Sequence, residues 1–222
     1  MDPVHIALAH LMDVEPEIEL LNFFKSYPIT IKARVLKLEP DKTAQLRVFP
    51  PGSVCLFQNK TTTLLSNYLA DAVQAKILHF NIVDGVVVLG SFAYLGPWSG
   101  RRMIVRVQPS EPISVELRRG DLTIRGQTTD ISLIGMGITV TNPIVKKDEA
   151  YKVHVNLPTG EIIMYGTVLD VIPGDDGNRL SIKFSANSRN IAFILDYITQ
   201  RRVEIQTEVQ RLYDRVYQTA KA

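Results

Sequence analysis

The feature that most restricts the fold is a period-two pattern, broken at short intervals by turn residues. It runs from Ile29 to Phe184 and then gives way to a helical period. Ile29, Ile31, Ala33, Val35 and Leu36 sit in a mostly alternating, β-branched stretch that predicts a strand. Gln45–Phe49 and Gly52–Phe57 predict two more, separated at Pro50-Pro51-Gly52, and Leu64–Leu69 reads as a turn or short helix. Ala72–Asn81 and Gly85–Phe92 predict a hairpin joined at Asp84-Gly85. Upstream, residues 1–27 carry a weak amphipathic pattern with Ile18, Leu20, Leu21, Phe23 and Phe24 apolar, which predicts a short helix.

Gly96-Pro97-Trp98-Ser99-Gly100 is rich in turn residues and marks a linker. Beyond it, Arg106–Val107, Ile113–Leu117, Asp121–Asp130, Met136–Val140, Tyr151–Leu157, Ile162–Val171 and Arg179–Phe184 read as strands. About seven short strands at such spacing predict a small barrel or sandwich. From Ser188, positions Ile191, Leu195, Ile198, Arg202, Ile205, Val209, Leu212 and Val216 form a heptad seam with one charged member. The expected domains are residues 1–95, a linker at 96–100, a barrel at 101–186 and a helix at 187–222. The outer part of that helix either packs on its own barrel or pairs with another chain as a homo-oligomer.

With 222 residues, 45% of them hydrophobic and 22% charged, the chain can build folded cores. The net charge of +2 argues against a long polyanion such as DNA. Residues 99–222 carry 17 basic and 14 acidic side chains, with arginines clustered at Arg101–Arg106 and Arg118–Arg125. A compact anion suits that pattern. Cys55 is the lone cysteine, so no intrachain disulfide can form. The acidic N-terminus does not read as a signal peptide and no apolar run reaches membrane length, so the expected location is the cytoplasm.

Two segments carry chemistry: Arg101-Arg102-Met103-Ile104-Val105-Arg106 and Asp130-Ile131-Ser132-Leu133-Ile134-Gly135-Met136-Gly137. Arg102 and Arg106 offer planar forks that bind phosphate, stack on a base, or pair with the O6/N7 edge of guanine. Asp130 and Ser132, two apart at a strand end, share one face. A carboxylate accepts from adjacent N–H groups such as those of guanine's Watson–Crick edge, and the hydroxyl adds a donor or acceptor. Gly135 and Gly137 permit a sharp turn and close backbone approach. Arg118, Arg119 and Arg125 read as exposed strand and turn residues, and Trp98 as a packing residue. The histidines are scattered, which argues against a metal site, and no catalytic motif is present, so the chain is expected to bind rather than catalyse.

The RxxxR pattern at Arg102–Arg106 and the DxSxxG pattern at Asp130–Gly135 resemble the paired motifs of the PilZ domain, a bacterial receptor for cyclic di-GMP. Arg179–Phe184 resembles that family's last barrel strand. Ile191–Arg202 resembles the helix after it, with Tyr197-Ile198 and Arg201-Arg202 in the family's places. The first domain is similar to the N-terminal split barrel of YcgR-like proteins. The resemblance implies a mainly β chain: a split β-barrel, a six- or seven-stranded PilZ barrel, then a long helix. It implies that Arg102 and Arg106 clamp phosphates and guanines, that Asp130 and Ser132 read a guanine edge, and that Gly135 makes the turn. Arg101, a basic residue directly before RxxxR, implies two intercalated ligand molecules. No cofactor beyond this ligand is implied. The implied partners are flagellar motor components, or machinery for exopolysaccharide, adhesion or virulence. A flavin-binding split-barrel oxidoreductase and an RNA-binding module are the alternatives.

Overall fold

The computed structural model describes residues 3–14, 17–96, 104–141, 145–175, 177–185 and 188–222. The expected linker, beyond Gly96, lies outside them, as do Trp98, Arg101 and Arg102. By contacts the chain forms two compact units, Met1–Phe24 with Pro28–Arg101 and Ile205–Ala222, and Lys25–Tyr27 with Arg102–Glu204.

The first unit opens with helix α1 (Pro3–Val14), which buries Val4, Leu8 and Leu11 along one helical face. Its six strands are β1 (Ile18–Phe24), β2 (Tyr27–Leu38), β3 (Ala44–Val48), β4 (Thr61–Leu65), β5 (Val73–Asn81) and β6 (Val86–Tyr94). They close into a barrel in the order β1-β2-β3-β6-β5-β4. Three sequence expectations fail here. Ile18–Phe24 is a strand, because its inward set is Ile18, Leu20, Asn22 and Phe24. Asn22 is a polar residue inside, and its amide donates to Thr62 Oγ1 at 2.9 Å. That buried polar position disguises the alternation. Gly52–Phe57 is a 3-10 helix rather than a strand. Five consecutive residues, Gly52–Leu56, are buried there, and a continuous apolar run does not separate strand from helix. The strand near Leu64 is β4, which starts three residues earlier at a threonine run and pairs with β1 and β5.

The second unit contains β7 (Arg106–Val107), β8 (Ser114–Arg119), β9 (Leu122–Ser132), β10 (Gly135–Val140), β11 (Ala150–Leu157), β12 (Gly160–Ile172) and β13 (Asn178–Ser185). They run β10-β13-β12-β11-β8-β9-β7, and an added β9–β10 pairing closes six of them into a barrel. Of the two architectures predicted by the strand spacing, closure selects the barrel, which removes exposed edges. Val115, Leu117, Ile138, Val153, Val168, Leu180 and Ile182 fill the interior and are at most 2% exposed. Arg118 and Arg125 both pair with Glu116, and Arg119 with Glu149, as expected of surface strand residues. Glu149 also accepts from the buried Tyr151 hydroxyl at 2.7 Å and from the Lys146 N–H at 3.0 Å.

Helix α2 (Ser188–Lys221) is 34 residues long, about 50 Å. Its start is pinned within the second unit: Asn190 donates to the Ile163 carbonyl and Thr159 to the Phe193 carbonyl, each at 2.9 Å. The buried positions are Asn190, Ile194, Tyr197, Ile198, Arg201, Ile205 and Val209, whereas Ile191 and Leu195 of the expected heptad seam are 40% and 48% exposed. Ile198, Ile205 and Val209 of that seam are buried, and between them the buried face takes in Arg201, since 198–201–205 keeps three- and four-residue steps as well as 198–202–205 does. Arg202 is therefore exposed, and its neighbour Arg201 is the buried arginine, donating to the Gln108 carbonyl at 2.8 Å and to Glu204 at 2.8 Å.

Two measurements check this architecture. Ile194→Ala should cost about 2–5 kcal/mol in urea unfolding, while Ile191→Ala should stay within roughly 0.5 kcal/mol of the parent. The Tyr151 hydroxyl, Arg119 and the Lys146 N–H hold the Glu149 carboxyl down at about 2, against an ordinary 4.5. Because the folded value is depressed, its stabilisation is complete above about 4.5 and is lost as pH falls towards about 2. Thermal melts of Glu149→Gln should thus lie below wild type at neutral pH and converge with it towards pH 2.

Candidate functional site

Strand β9 brings the site together because it changes partner along one edge. Its first half pairs with β8, Ser114 opposite Gln127. Beyond the end of β8, β7 takes over that edge and sets Arg106 opposite Ser132 and Val107 opposite Ile131. On the other edge β10 sets Gly135 opposite Ser132 and Gly137 opposite Asp130, with a register shift just past Gly137. Ile131 is fully buried in the core. Alternation then puts Asp130 and Ser132 on the barrel's outer face. Both are nonetheless 4% exposed or less.

A carboxylate so desolvated needs cations or donors. Arg106 lies diagonally across from Asp130, within reach of a long side chain. Its Nη1 donates to Asp130 Oδ1 at 3.3 Å. The other oxygen, Oδ2, accepts from Arg179 Nη2 at 2.6 Å. Arg179 comes from β13, which lies beyond β10: Gly137 faces Ser181, and Thr139 faces Arg179. Arg179 spans the intervening strand because Gly137 leaves the space open. A Cβ on Gly137 would sit 2.7 Å from Asp130 Oδ2 and 3.1 Å from Arg179 Nη2.

Gly135 serves a different close approach. Its Cα faces β13 so tightly that a Cβ would overlap the Ile182 carbonyl oxygen, and the Phe184 N–H donates to the Ile134 carbonyl at 2.8 Å beside it. The Ser132 hydroxyl donates across the turn to the Gly135 carbonyl at 2.9 Å. Next to this turn is a cleft of about 370 Å³, lined by Val105, Leu133, Ile134, Leu195, Ile198 and Arg202 among others. Val105 and Ile134 are 38% and 48% exposed.

Of the residues expected from sequence, Arg106, Asp130, Ser132, Gly135 and Gly137 therefore converge on one outward patch. Arg101 and Arg102 lie outside the described residues. The residue missed is Arg179, expected only as part of a strand. Its signal was the strand order itself: a closed barrel must return its last strand next to the DxSxxG hairpin.

This architecture is that of a small antiparallel barrel carrying an acid–arginine cluster on its outer wall. Residues 100–200 match the PilZ domain. An uncharacterized protein of Aquifex aeolicus is 29% identical over 143 residues, covering 64% of this chain and 68% of that one. Among solved structures, YcgR from Escherichia coli in complex with c-di-GMP is 14% identical, covers 95% of both chains and gives a TM-score of 0.47. The K. pneumonia MrkH–c-di-GMP complex is 16% identical with a TM-score of 0.48, covering 92% of this chain and 96% of that one. The Bacillus subtilis inhibitor of motility (MotI/DgrA) is 13% identical with a TM-score of 0.46, covering 86% and 97%.

The two glycines make separable predictions. At Gly137 the added methyl meets side-chain ends that can shift, so Gly137→Ala should cost about 1–3 kcal/mol. At Gly135 it meets backbone. Gly135→Ala should cost more, and urea unfolding of both variants checks the order.

Proposed function

We propose that the chain is a non-enzymatic receptor for cyclic di-GMP, with the ligand bound at the Asp130 patch. The observation that carries this is a buried carboxylate shared by two guanidiniums on an outward barrel face, in a PilZ domain with both motifs intact. Guanine presents adjacent N–H donors that a carboxylate accepts, plus an O6/N7 edge that an arginine fork reads. The same forks bind phosphate. Asp130 and Ser132 thus take a guanine edge, Arg106 and Arg102 take phosphate or a guanine face, and Gly135 and Gly137 give the close approaches that hold the turn and the Asp130–Arg179 contact in place. The apolar cleft at Val105 and Ile134 offers a surface for a purine ring. Arg101 supports a stoichiometry of two intercalated ligand molecules.

Arg101–Arg106 follows the Gly96–Gly100 segment directly in sequence. Ligand binding there would change how the two units are held, a population shift driven by better contacts in one arrangement. The changed surface would act on a protein partner such as flagellar motor or polysaccharide machinery in the cytoplasm. No helix among the described residues is long and apolar enough to cross a membrane. The flavin and RNA alternatives gain no support from the comparisons.

Calorimetric titration tests the assignment. Wild type should bind cyclic di-GMP with a fitted stoichiometry near two ligands per chain. Removing one charge-assisted contact costs about 1.5–3 kcal/mol, so Arg102→Ala, Arg106→Ala and Asp130→Ala should each weaken binding roughly tenfold to a hundredfold. Absence of heat with the wild type, or unchanged affinity in all three variants, refutes the assignment. Small-angle scattering with and without ligand checks the rearrangement, which an unchanged profile would exclude.

A further inference from the structure

We propose that Arg179 is a positioning residue of the cyclic di-GMP site: it holds the Asp130 carboxylate in place while Arg106 transfers from Asp130 to the ligand. This rests on the function proposed above. The two arginines on Asp130 are not equivalent. The Arg179 bond, at 2.6 Å, is short and well formed, whereas the Arg106 bond is at 3.3 Å, beyond the usual range. Arg106 is also the motif arginine assigned above to the ligand, and turning its whole fork to phosphate or guanine takes Nη1 off Asp130.

Binding therefore demands an exchange. The Asp130 side chain is only 6% exposed, so if Arg106 were its sole counter-ion, releasing it would strand a buried charge. Arg179 removes that obstacle. It remains on Oδ2 while Oδ1, vacated by Arg106, becomes the acceptor for guanine N–H groups. An ionised carboxylate has lone pairs enough for both. Gly137 is what permits this: any side chain there would push between Asp130 Oδ2 and Arg179 Nη2. The purpose of the second glycine of GMG is thus to let β13 reach across β10 to the ligand acceptor.

A double-mutant cycle tests the assignment by calorimetry with cyclic di-GMP, using wild type, Arg179→Met, Arg179→Lys, Asp130→Asn and the two Arg179 variants combined with Asp130→Asn. Arg179→Met should bind about tenfold or more weakly. Arg179→Lys should recover part of that loss, since it restores charge without the fork. In the Asp130→Asn background neither Arg179 change should weaken binding further by more than about twofold, because Arg179 acts through Asp130. If Arg179→Met does not fold, as a thermal melt would reveal, the lysine pair carries the same test. Wild-type affinity in the Arg179 variants overturns the proposal. So does an equal loss in both backgrounds, which would mean that Arg179 touches the ligand directly. A wild type that does not bind overturns the function itself, and the variants are then not needed to tell the two failures apart.

Discussion

A carboxylate removed from water and shared between two arginines is the constraint on which the site depends. Burying Asp130 would be costly without compensation, and the compensation comes from strands far apart in sequence. Arg106 and Arg179 meet Asp130 across sequence separations of 24 and 49 residues. Only barrel closure brings both to it. The β9–β10 pairing, the β10–β13 pairing and the handover of β9's edge from β8 to β7 are thus as much a part of the site as its side chains.

The glycines of the motif gain physical meaning from the same geometry. Gly135 allows the β13 backbone to approach, and Gly137 leaves a lane for the Arg179 side chain. Arg201 adds support from the helix, because it grips the Gln108 carbonyl two residues after Arg106. The strand bearing the motif arginine is therefore held at one end by a buried cation.

Much of this was legible in the sequence. The strand alternation gave the second barrel nearly element by element, and the paired motifs placed Arg106, Asp130, Ser132 and Gly135 in one patch. What stayed hidden has identifiable causes. Ile18–Phe24 looked helical because Asn22 breaks the apolar alternation while pointing inward to Thr62. Gly52–Phe57 looked like a strand because unbroken burial has no period. The α2 pattern does not separate Arg201 from Arg202, because either residue keeps three- and four-residue steps between the buried Ile198 and Ile205. Arg179 escaped notice because a lone arginine in a strand carries no spacing, and its role appears only once β13 is laid beside β10.

On the function proposed above, Asp130 presents an acceptor to a guanine edge. Titration of the wild-type protein with cyclic di-GMP and, in parallel, cyclic di-AMP tests it most directly, because the two ligands share their phosphates and differ in the edge that Asp130 would read. Adenine lacks guanine's pair of adjacent N–H donors, and a site built for hydrogen bonds rejects an analogue without them. Cyclic di-GMP should bind, with an affinity for cyclic di-AMP at least about a hundredfold lower. Equal affinity for the two would contradict it.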